Sequence, residues 1–176
     1  MEELTTLPDY VREGLDIVFV GLNPSVYSVE VGHYFANPRN RFWAALNLSG
    51  LLDREVGPED DASLLADGIG FTDVVKRPTR QGSGLKNEDF RRWAPVLKDK
   101  LLRFQPRIAC FQGNTGYGPY LKYAEGINNK AQLGLQPVTI GRTRLFMVPN
   151  PSPANAVFSK ENLAGWLRRL GEELTR

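Results

Sequence analysis

Cysteine and histidine are nearly absent from this chain of 176 residues, which contains one of each, Cys110 and His33. A single cysteine excludes an internal disulfide, a four-thiolate iron–sulfur cluster and a cysteine-rich zinc site. A single histidine would leave a Ser-His-Asp hydrolase or a zinc hydrolase dependent on one ring, which disfavours both classes. We therefore expect chemistry based on amides, carboxylates, hydroxyls and backbone groups, with no metal and no cofactor.

Long hydrophobic runs are also missing, and none approaches the ~18 residues of a membrane span. The acidic opening Met1-Glu2-Glu3 lacks the basic-then-apolar order of a secretory signal. The balance of 41% hydrophobic and 24% charged residues is typical of a soluble globule, and the length fits one domain. We expect a single domain over residues 1–176 that is monomeric and cytoplasmic (nucleoid-associated if prokaryotic) and has no membrane partner.

Charges of opposite sign are separated along the chain, although the net charge is only +2. Residues 1–75 carry 4 basic and 13 acidic side chains, residues 76–130 carry 12 and 4, and residues 131–176 carry 6 and 3. This separation is compatible with a basic face for nucleic acid. It is equally compatible with a solvated surface on which the charges interleave.

Apolar runs and helical periodicities alternate along the chain. Strands are predicted at 16–20, 107–111, 137–140 and 144–148, the last two joined as a hairpin. Helices are predicted at 87–104, with Asn87 as a cap, and after a Ser159 cap, with shorter ones at 41–48 and 62–66. This alternation predicts an α/β sandwich with a mostly parallel central sheet, whose ligands bind beyond the carboxyl ends of the strands. Cys110, Trp93 and Trp166 are expected in its core.

Two of the predicted strands are followed by the same tripeptide. Asn23-Pro24-Ser25 follows the first strand and Asn150-Pro151-Ser152 follows the last. Asn-Pro is a common turn dipeptide, so either copy alone could be purely structural. Two copies at the ends of apolar strands favour loops that face one cleft.

Four segments carry a resemblance to a known family: Val18-Phe19-Val20-Gly21-Leu22-Asn23-Pro24, Phe35-Ala36-Asn37-Pro38-Arg39-Asn40-Arg41-Phe42-Trp43, Gly70-Phe71-Thr72-Asp73-Val74-Val75-Lys76-Arg77-Pro78-Thr79 and Val148-Pro149-Asn150-Pro151-Ser152. In order and approximate spacing they resemble the mismatch-specific uracil-DNA glycosylase and thymine-DNA glycosylase branch of the uracil-DNA glycosylase superfamily. The resemblance implies a three-layer α/β/α fold. It also implies hydrolysis of the N-glycosidic bond of uracil opposite guanine in double-stranded DNA, after the base flips out of the duplex.

The resemblance also implies residue roles. Asn23 matches the asparagine that orients the attacking water, and the backbone near Leu22 matches the group that meets a base carbonyl. Phe35 matches the aromatic ring that stacks on the flipped base, while Asn150 and Ser152 keep polar groups that reach the phosphate or the base. The structural alternatives are an Asn-Pro turn for Asn23 and a core ring for Phe35.

At position 73 the sequence departs from that family pattern. The bacterial mismatch enzyme has lysine in this column and the thymine enzyme has asparagine, whereas this chain has Asp73. An ionised carboxylate beside a cationic sugar could activate water better than an amide. We therefore hypothesise that Asp73 shares or takes over the role of Asn23. A solvated or capping aspartate is the alternative.

The loop after the last strand departs as well. Family members have a wedge here that fills the vacated hole in the duplex, often with an arginine, but this chain has Pro153, Ala154, Asn155 and Ala156. We expect DNA contact from this loop but a weaker plug, which puts the preference for guanine opposite the uracil in doubt.

A cluster of basic residues is predicted to bind the DNA backbone: Lys76, Arg77, Arg80 and Lys86. Arg39 and Arg41 are further candidates, although Arg41 could instead cap a helix. His33 is either structural or a contact to the base or DNA. Two other functions remain open: a broad uracil glycosylase that also acts on single strands and A·U pairs, and a lesion-binding module without catalysis.

Overall fold

A computed structural model describes residues 4–176, and the acidic opening Met1-Glu2-Glu3 lies outside the described residues. A five-stranded sheet forms the centre, with β1 (Ile17–Gly21), β2 (Ile69–Asp73), β3 (Ile108–Gln112), β4 (Gly134–Ile140) and β5 (Thr143–Val148). The strand order is β2-β1-β3-β5-β4, and among these five strands of residues 4–176 only the β4–β5 pair is antiparallel. This confirms the predicted α/β fold with a mostly parallel sheet, whereas β2 was not predicted as a strand.

Five α-helices accompany the sheet among these residues: α1 (Val26–Val31), α2 (Phe42–Ser49), α3 (Asn87–Phe104), α4 (Asn114–Tyr120) and α5 (Lys160–Leu174). Short 3₁₀ turns lie at Pro58–Asp60, Ala62–Asp67 and Gly82–Gly84, and a π turn at Leu121–Glu125 continues α4. None of the described helices meets the length and apolarity that a membrane crossing requires.

The two long helices match their predicted ranges because each has one apolar stripe. Ser159 caps α5 as predicted, with its side chain accepting a hydrogen bond from the Asn162 N–H. The predicted cap of α3 is wrong. Asn87 is already the first helical residue, and the Asp89 carboxylate accepts the Lys86 N–H at 2.9 Å instead.

Each face of the sheet buries its own apolar cluster, since successive side chains of a strand point to opposite faces. Phe19 packs with residues of α2 and α5, while Val20 packs with residues of α3 and α4. Cys110 is fully buried in the first cluster, as expected. This layering leaves the carboxyl ends of the four parallel strands β1, β2, β3 and β5 together at one edge of the sheet, where the loops are free to form a site.

Candidate active site

A cleft of about 1230 Å³ opens at the carboxyl ends of the parallel strands. Its walls include Asn23 after β1, Asp73 at the end of β2, Gln112 at the end of β3 and Asn150 after β5. The two Asn-Pro-Ser loops therefore share one cavity, as their position after two strands of one sheet predicted. A cavity of this kind can admit an extended ligand and surround one part of it with polar groups.

The Asn23 amide is fixed by the segment that follows β2. Its Nδ2 donates to the Arg77 carbonyl at 3.0 Å and to Thr79 Oγ1 at 2.8 Å. A carbonyl can only accept, so the amide nitrogen must face Arg77 and the amide oxygen must face away from it. Asn23 is half-buried in the cleft wall, which leaves its Oδ1 as an acceptor for a water or ligand.

Asp73 lines the cleft and is only 3% exposed. Burial raises the pKa of this carboxyl to about 6, against the opposing effect of the Lys76 ammonium, while the charge of Asp9 raises it further. The group is thus mainly ionised at neutral pH and can still accept a proton. Of the alternatives left by the sequence, a solvated or helix-capping aspartate does not match this burial.

Lys76 contacts the carboxylate of Asp73 and does not extend into solvent. Its Nζ lies 3.4 Å from Asp73 Oδ2, 2.9 Å from Asp9 Oδ1 and 3.1 Å from the Tyr34 hydroxyl. The residue is only 6% exposed. The prediction that Lys76 binds a DNA phosphate is therefore wrong, because its charge is buried and surrounded by protein acceptors.

Phe35 forms an apolar wall beside Asp73. Its backbone has φ 52°, an unusual value for a phenylalanine, and its ring packs 4.4 Å from that of Phe42 between centroids. A Cβ placed on Gly21 would lie 3.5 Å from the Phe35 ring and 2.5 Å from Asp73 Oδ1. Gly21 is therefore the residue that lets the ring and the carboxylate converge on the same part of the cleft. Leu22, next in the chain, also lines the cleft.

The second Asn-Pro-Ser loop is rigidified from within. Asn150 Oδ1 accepts the Ser152 N–H at 2.9 Å, and Asn155 Nδ2 donates to the Asn150 carbonyl at 2.9 Å. Asn150, Ser152, Pro153, Ala154 and Asn155 all line the cleft. The Asn150 amide is thus partly engaged, since its Nδ2 also lies 3.5 Å from Thr115 Oγ1.

Comparison with known proteins agrees with this architecture. The family model described as the uracil DNA glycosylase superfamily matches residues 8–171, nearly the whole chain. The chain belongs to this superfamily. It is also similar to a candidate uracil DNA glycosylase from Methanosarcina acetivorans, solved in solution by NMR, at 24% identity and TM-score 0.61, with 97% of this chain and 98% of that chain covered. The second likeness supports the fold, while superfamily membership supports a glycosylase hydrolase that excises uracil from DNA in repair.

Arg41 of this superfamily member braces the second Asn-Pro-Ser loop. Its Nη2 donates to the carbonyls of Ser152, at 2.7 Å, and Asn155, and its backbone N–H donates to the Pro151 carbonyl at 3.1 Å. Arg41 occupies the N-cap position of α2, as one of its two alternatives predicts, although its side chain makes no capping hydrogen bond. The guanidinium holds the second Asn-Pro-Ser loop instead, which does not support the other alternative, a phosphate contact.

The remaining predicted basic residues of the glycosylase divide into two groups. The Arg77 guanidinium binds Asp89 through two 2.7 Å contacts and the Gly84 carbonyl at 3.0 Å, so its predicted phosphate contact is not supported. Arg80 and Arg39 are exposed and line the cleft, while Lys86 is exposed at the start of α3 outside the cleft lining. These three stay candidate DNA contacts.

His33 lies outside the cleft lining. Its Nδ1 is 3.1 Å from Oδ1 of the buried Asp61, whose other oxygen accepts the Tyr34 N–H at 2.9 Å. This pairing supports the structural alternative for His33, since the ring helps to hold the loop that carries Phe35.

Sequence reasoning missed several residues that shape the glycosylase site. Asp9 binds both Lys76 and Lys100, yet its partners lie more than 60 positions away in sequence, so no local pattern indicates the contact. Thr79 lay within a recognised segment but had no assigned role. Its contact to Asn23 depends on the parallel pairing of Ser25 with Thr79, which only the fold shows.

Proposed function

We propose that this protein hydrolyses the N-glycosidic bond of uracil in DNA, with preference for G·U mispairs in duplexes, using Asn23 and Asp73. One observation carries the proposal: an oriented amide and a buried carboxylate line the same cleft, beside the aromatic wall of Phe35. Uracil excision itself is supported by the superfamily. The residue roles rest on this geometry together with the family resemblance, and the mismatch preference rests on the resemblance and on the lower cost of unpairing a mispair.

The target bond lies inside the duplex, so the nucleotide must rotate out of the base stack before it can enter the cleft. Unpairing costs a few kcal/mol and less for a mispair, which favours G·U over A·U. In the cleft, the flipped base stacks against Phe35, a contact worth about 1–3 kcal/mol that does not depend on base identity. Recognition of uracil then depends on polar groups at its edge, for which Asn150 and the main chain near Leu22 are the candidates.

The reaction breaks the bond between C1′ and N1 as a water oxygen bonds to C1′. The electron pair of the broken bond leaves with uracil as an anion, and the product is an abasic sugar with a hydroxyl at C1′. Asn23 Oδ1 accepts a hydrogen bond from the water and orients it, but an amide is too weak a base to take the proton. The ionised Asp73 accepts that proton and stabilises positive charge on the sugar, and Lys76 keeps the carboxylate in place.

The loop after Asn150 bears on the preference for duplex DNA. Pro153 and Ala154 are exposed but small, as expected of a weak plug, whereas Val157 is 81% exposed. Val157 lies between Asn155 and Phe158, both of which line the cleft. We propose that Val157 fills the space that the flipped nucleotide leaves. Insertion between base pairs removes its exposed apolar surface from water, which is favourable.

The absence of an arginine from this loop favours a second candidate function, a broad uracil glycosylase. A weak plug stabilises the flipped state of a duplex less. Uracil in single strands and in A·U pairs would then be excised at rates comparable with that in G·U pairs. Excision from G·U, A·U and G·T duplexes and from single-stranded uracil DNA, detected by strand cleavage in hot alkali, separates the candidates.

The proposal predicts fastest cleavage at G·U and a Val157→Ser enzyme that is impaired on duplexes more than on single strands. Leu135→Ser, which also replaces an exposed apolar residue but on β4, serves as the matched control. Equal rates on all uracil substrates would establish the broad enzyme. DNA binding without any cleavage would establish a lesion-binding module and overturn the catalytic proposal.

A further inference from the structure

A second groove opens beside the base cleft, where α3, α4 and the segment before β4 meet. It has a volume of about 410 Å³, and its lining includes four asparagines, two lysines and Tyr123. Asn114 and Lys130 line both this groove and the base cleft, so the two cavities adjoin. A polymer that leaves the cleft on this side would pass directly over the groove.

The groove has the chemistry of an anion site. Lys122 and Lys130 line it, and no carboxylate of the described residues 4–176 does. Arg91 Cζ lies over the Tyr123 ring, 5.5 Å from its centroid, and Lys122 Nζ lies 5.2 Å from the same centroid. Two cations therefore lie over the Tyr123 ring, and Lys130 adds another positive charge to the groove lining. The asparagine amides supply hydrogen-bond donors that can bind phosphate oxygens.

The cations around the groove are available to a ligand. Among residues 4–176, Arg91, Lys122 and Lys130 have no carboxylate within 4.0 Å, and all three are exposed. Glu125, the acidic residue adjacent in sequence, is already bound by Lys98 at 3.0 Å and by the Tyr120 hydroxyl at 2.8 Å. The groove also belongs to the chain segment 76–130, which carries 12 basic and 4 acidic residues.

We infer that this groove, hereafter the flank groove, binds the phosphodiester backbone of the DNA beside the flipped nucleotide. The inference rests on the proposed function, because it takes the adjoining cleft as the seat of the extruded base. It replaces the buried Lys76 and the paired Arg77 with Lys122 and Lys130 as phosphate contacts. Contacts of amides and cations to phosphates do not read the edges of the bases. We therefore expect this binding to be independent of the DNA sequence.

The test measures binding of a duplex that contains an abasic site, the product of the proposed reaction, by fluorescence anisotropy over a range of salt concentrations. Lys122→Ala/Lys130→Ala should weaken binding and make the slope of log K against log salt less negative by about 1–2, since each phosphate contact contributes roughly 0.9. The control is Arg103→Ala/Arg142→Ala, which removes the same charge at the opposite end of the sheet. The control should match the wild type in slope.

Shortening the duplex by a few base pairs on one side of the abasic site, then on the other, locates the contact. The difference between wild type and the lysine variant should disappear for one shortened duplex and persist for the other. A lysine variant with wild-type affinity and slope, a control variant with the same loss, or a difference that survives both truncations would overturn the inference.

Uracil excision by the wild type, measured in parallel, separates this test from the proposed function. Excision with an unaffected lysine variant means that the flank groove fails while the glycosylase holds. A lysine-dependent slope without any excision means that the groove binds DNA while the catalytic proposal fails.

Discussion

Gly21 and Asp73 are partners at the carboxyl ends of β1 and β2, and a methyl group on Gly21 would lie 2.5 Å from Asp73 Oδ1. The buried carboxylate has little room to move away, because Lys76 lies on its other side. The position of the proposed base thus depends on the absence of a side chain on the neighbouring strand.

Gly21→Ala should displace the Asp73 carboxylate and slow uracil excision by about 100-fold, since misplacement of a catalytic group by about 1 Å has effects of this size. Single-turnover excision from a G·U duplex measures the effect. Gly165→Ala is the matched control, because a Cβ there meets no atom of residues 4–176 within 4 Å apart from its chain neighbours and its own helix backbone. This change in α5 should leave excision unaltered and stabilise the fold by about 0.5–1 kcal/mol. Equal excision rates for the two variants would show that the position of Asp73 does not depend on Gly21.

The pH dependence of excision should follow the ionisation of Asp73. Burial raises the pKa of this group to about 6, so the base form is lost below that pH and saturates above it. The rate should increase about tenfold per pH unit below pH 6 and level off at higher pH. Asp73→Asn should be slow and lack this rise. A rise of the same shape in the variant would assign the titration to another group.

The free energy of unfolding should fall with increasing pH, whereas the excision rate rises. The pKa of Asp73 is raised from 3.8 to about 6 on folding, so the folded protein binds this proton more tightly than the unfolded chain. Stability therefore falls as the pH increases from about 4 to 6, by about 3 kcal/mol in total for this group. Asp73→Asn should be more stable than wild type at pH 7.5 and lose that advantage near pH 3.5. Urea unfolding at both pH values measures this, and an advantage that does not change with pH would contradict it.

The sequence predicted those parts of the molecule whose signals are local. The apolar stripes of α3 and α5 and the hairpin of β4 and β5 match the structure, because each depends on a periodicity or a turn within one segment. Helix α4 was missed since its sequence, Asn-Thr-Gly-Tyr-Gly-Pro-Tyr, contains residues that rarely form helices. Its place in the fold is determined by burial of Tyr117 and Tyr120 against the sheet.

The same distinction applies to the site. The shared cleft of Asn23 and Asn150 follows from two Asn-Pro-Ser motifs that each come after a predicted strand. Asp73 was identified only through the family resemblance, because the strand β2 that positions it was not predicted. The status of Lys76 and Arg77 does not follow from the sequence, because a lysine or arginine in a Gly/Ser-containing loop is usually solvated, and only the fold brings Asp9 and Asp89 to them. Charge counting alone therefore included Lys76 and Arg77 among the phosphate contacts, whereas Arg80 and Lys86 stay candidates.

The contact of Arg41 with the second Asn-Pro-Ser loop can be tested by substitution. Its guanidinium joins two carbonyls of the loop that follows Asn150, a geometry that the single ammonium group of lysine does not reproduce. Arg41→Lys and Arg41→Ala should therefore both slow excision and expose residues 152–158 to limited proteolysis. Arg39→Lys, at a neighbouring exposed position, should retain wild-type resistance to the protease. Full activity of Arg41→Lys together with loss in Arg41→Ala would instead indicate a phosphate contact.

The central claim is that Asn23 and Asp73 act together on a water at C1′ of a flipped deoxyuridine. Single-turnover release of uracil from a G·U duplex, followed by alkaline strand cleavage, tests it with wild type, Asn23→Ala, Asp73→Asn and the double variant. We predict cleavage by the wild type and a loss of about 100-fold or more in each single variant, as expected for a general base or water-orienting group. The double variant should lose activity almost completely. A double variant that cleaves at the wild-type rate would contradict it.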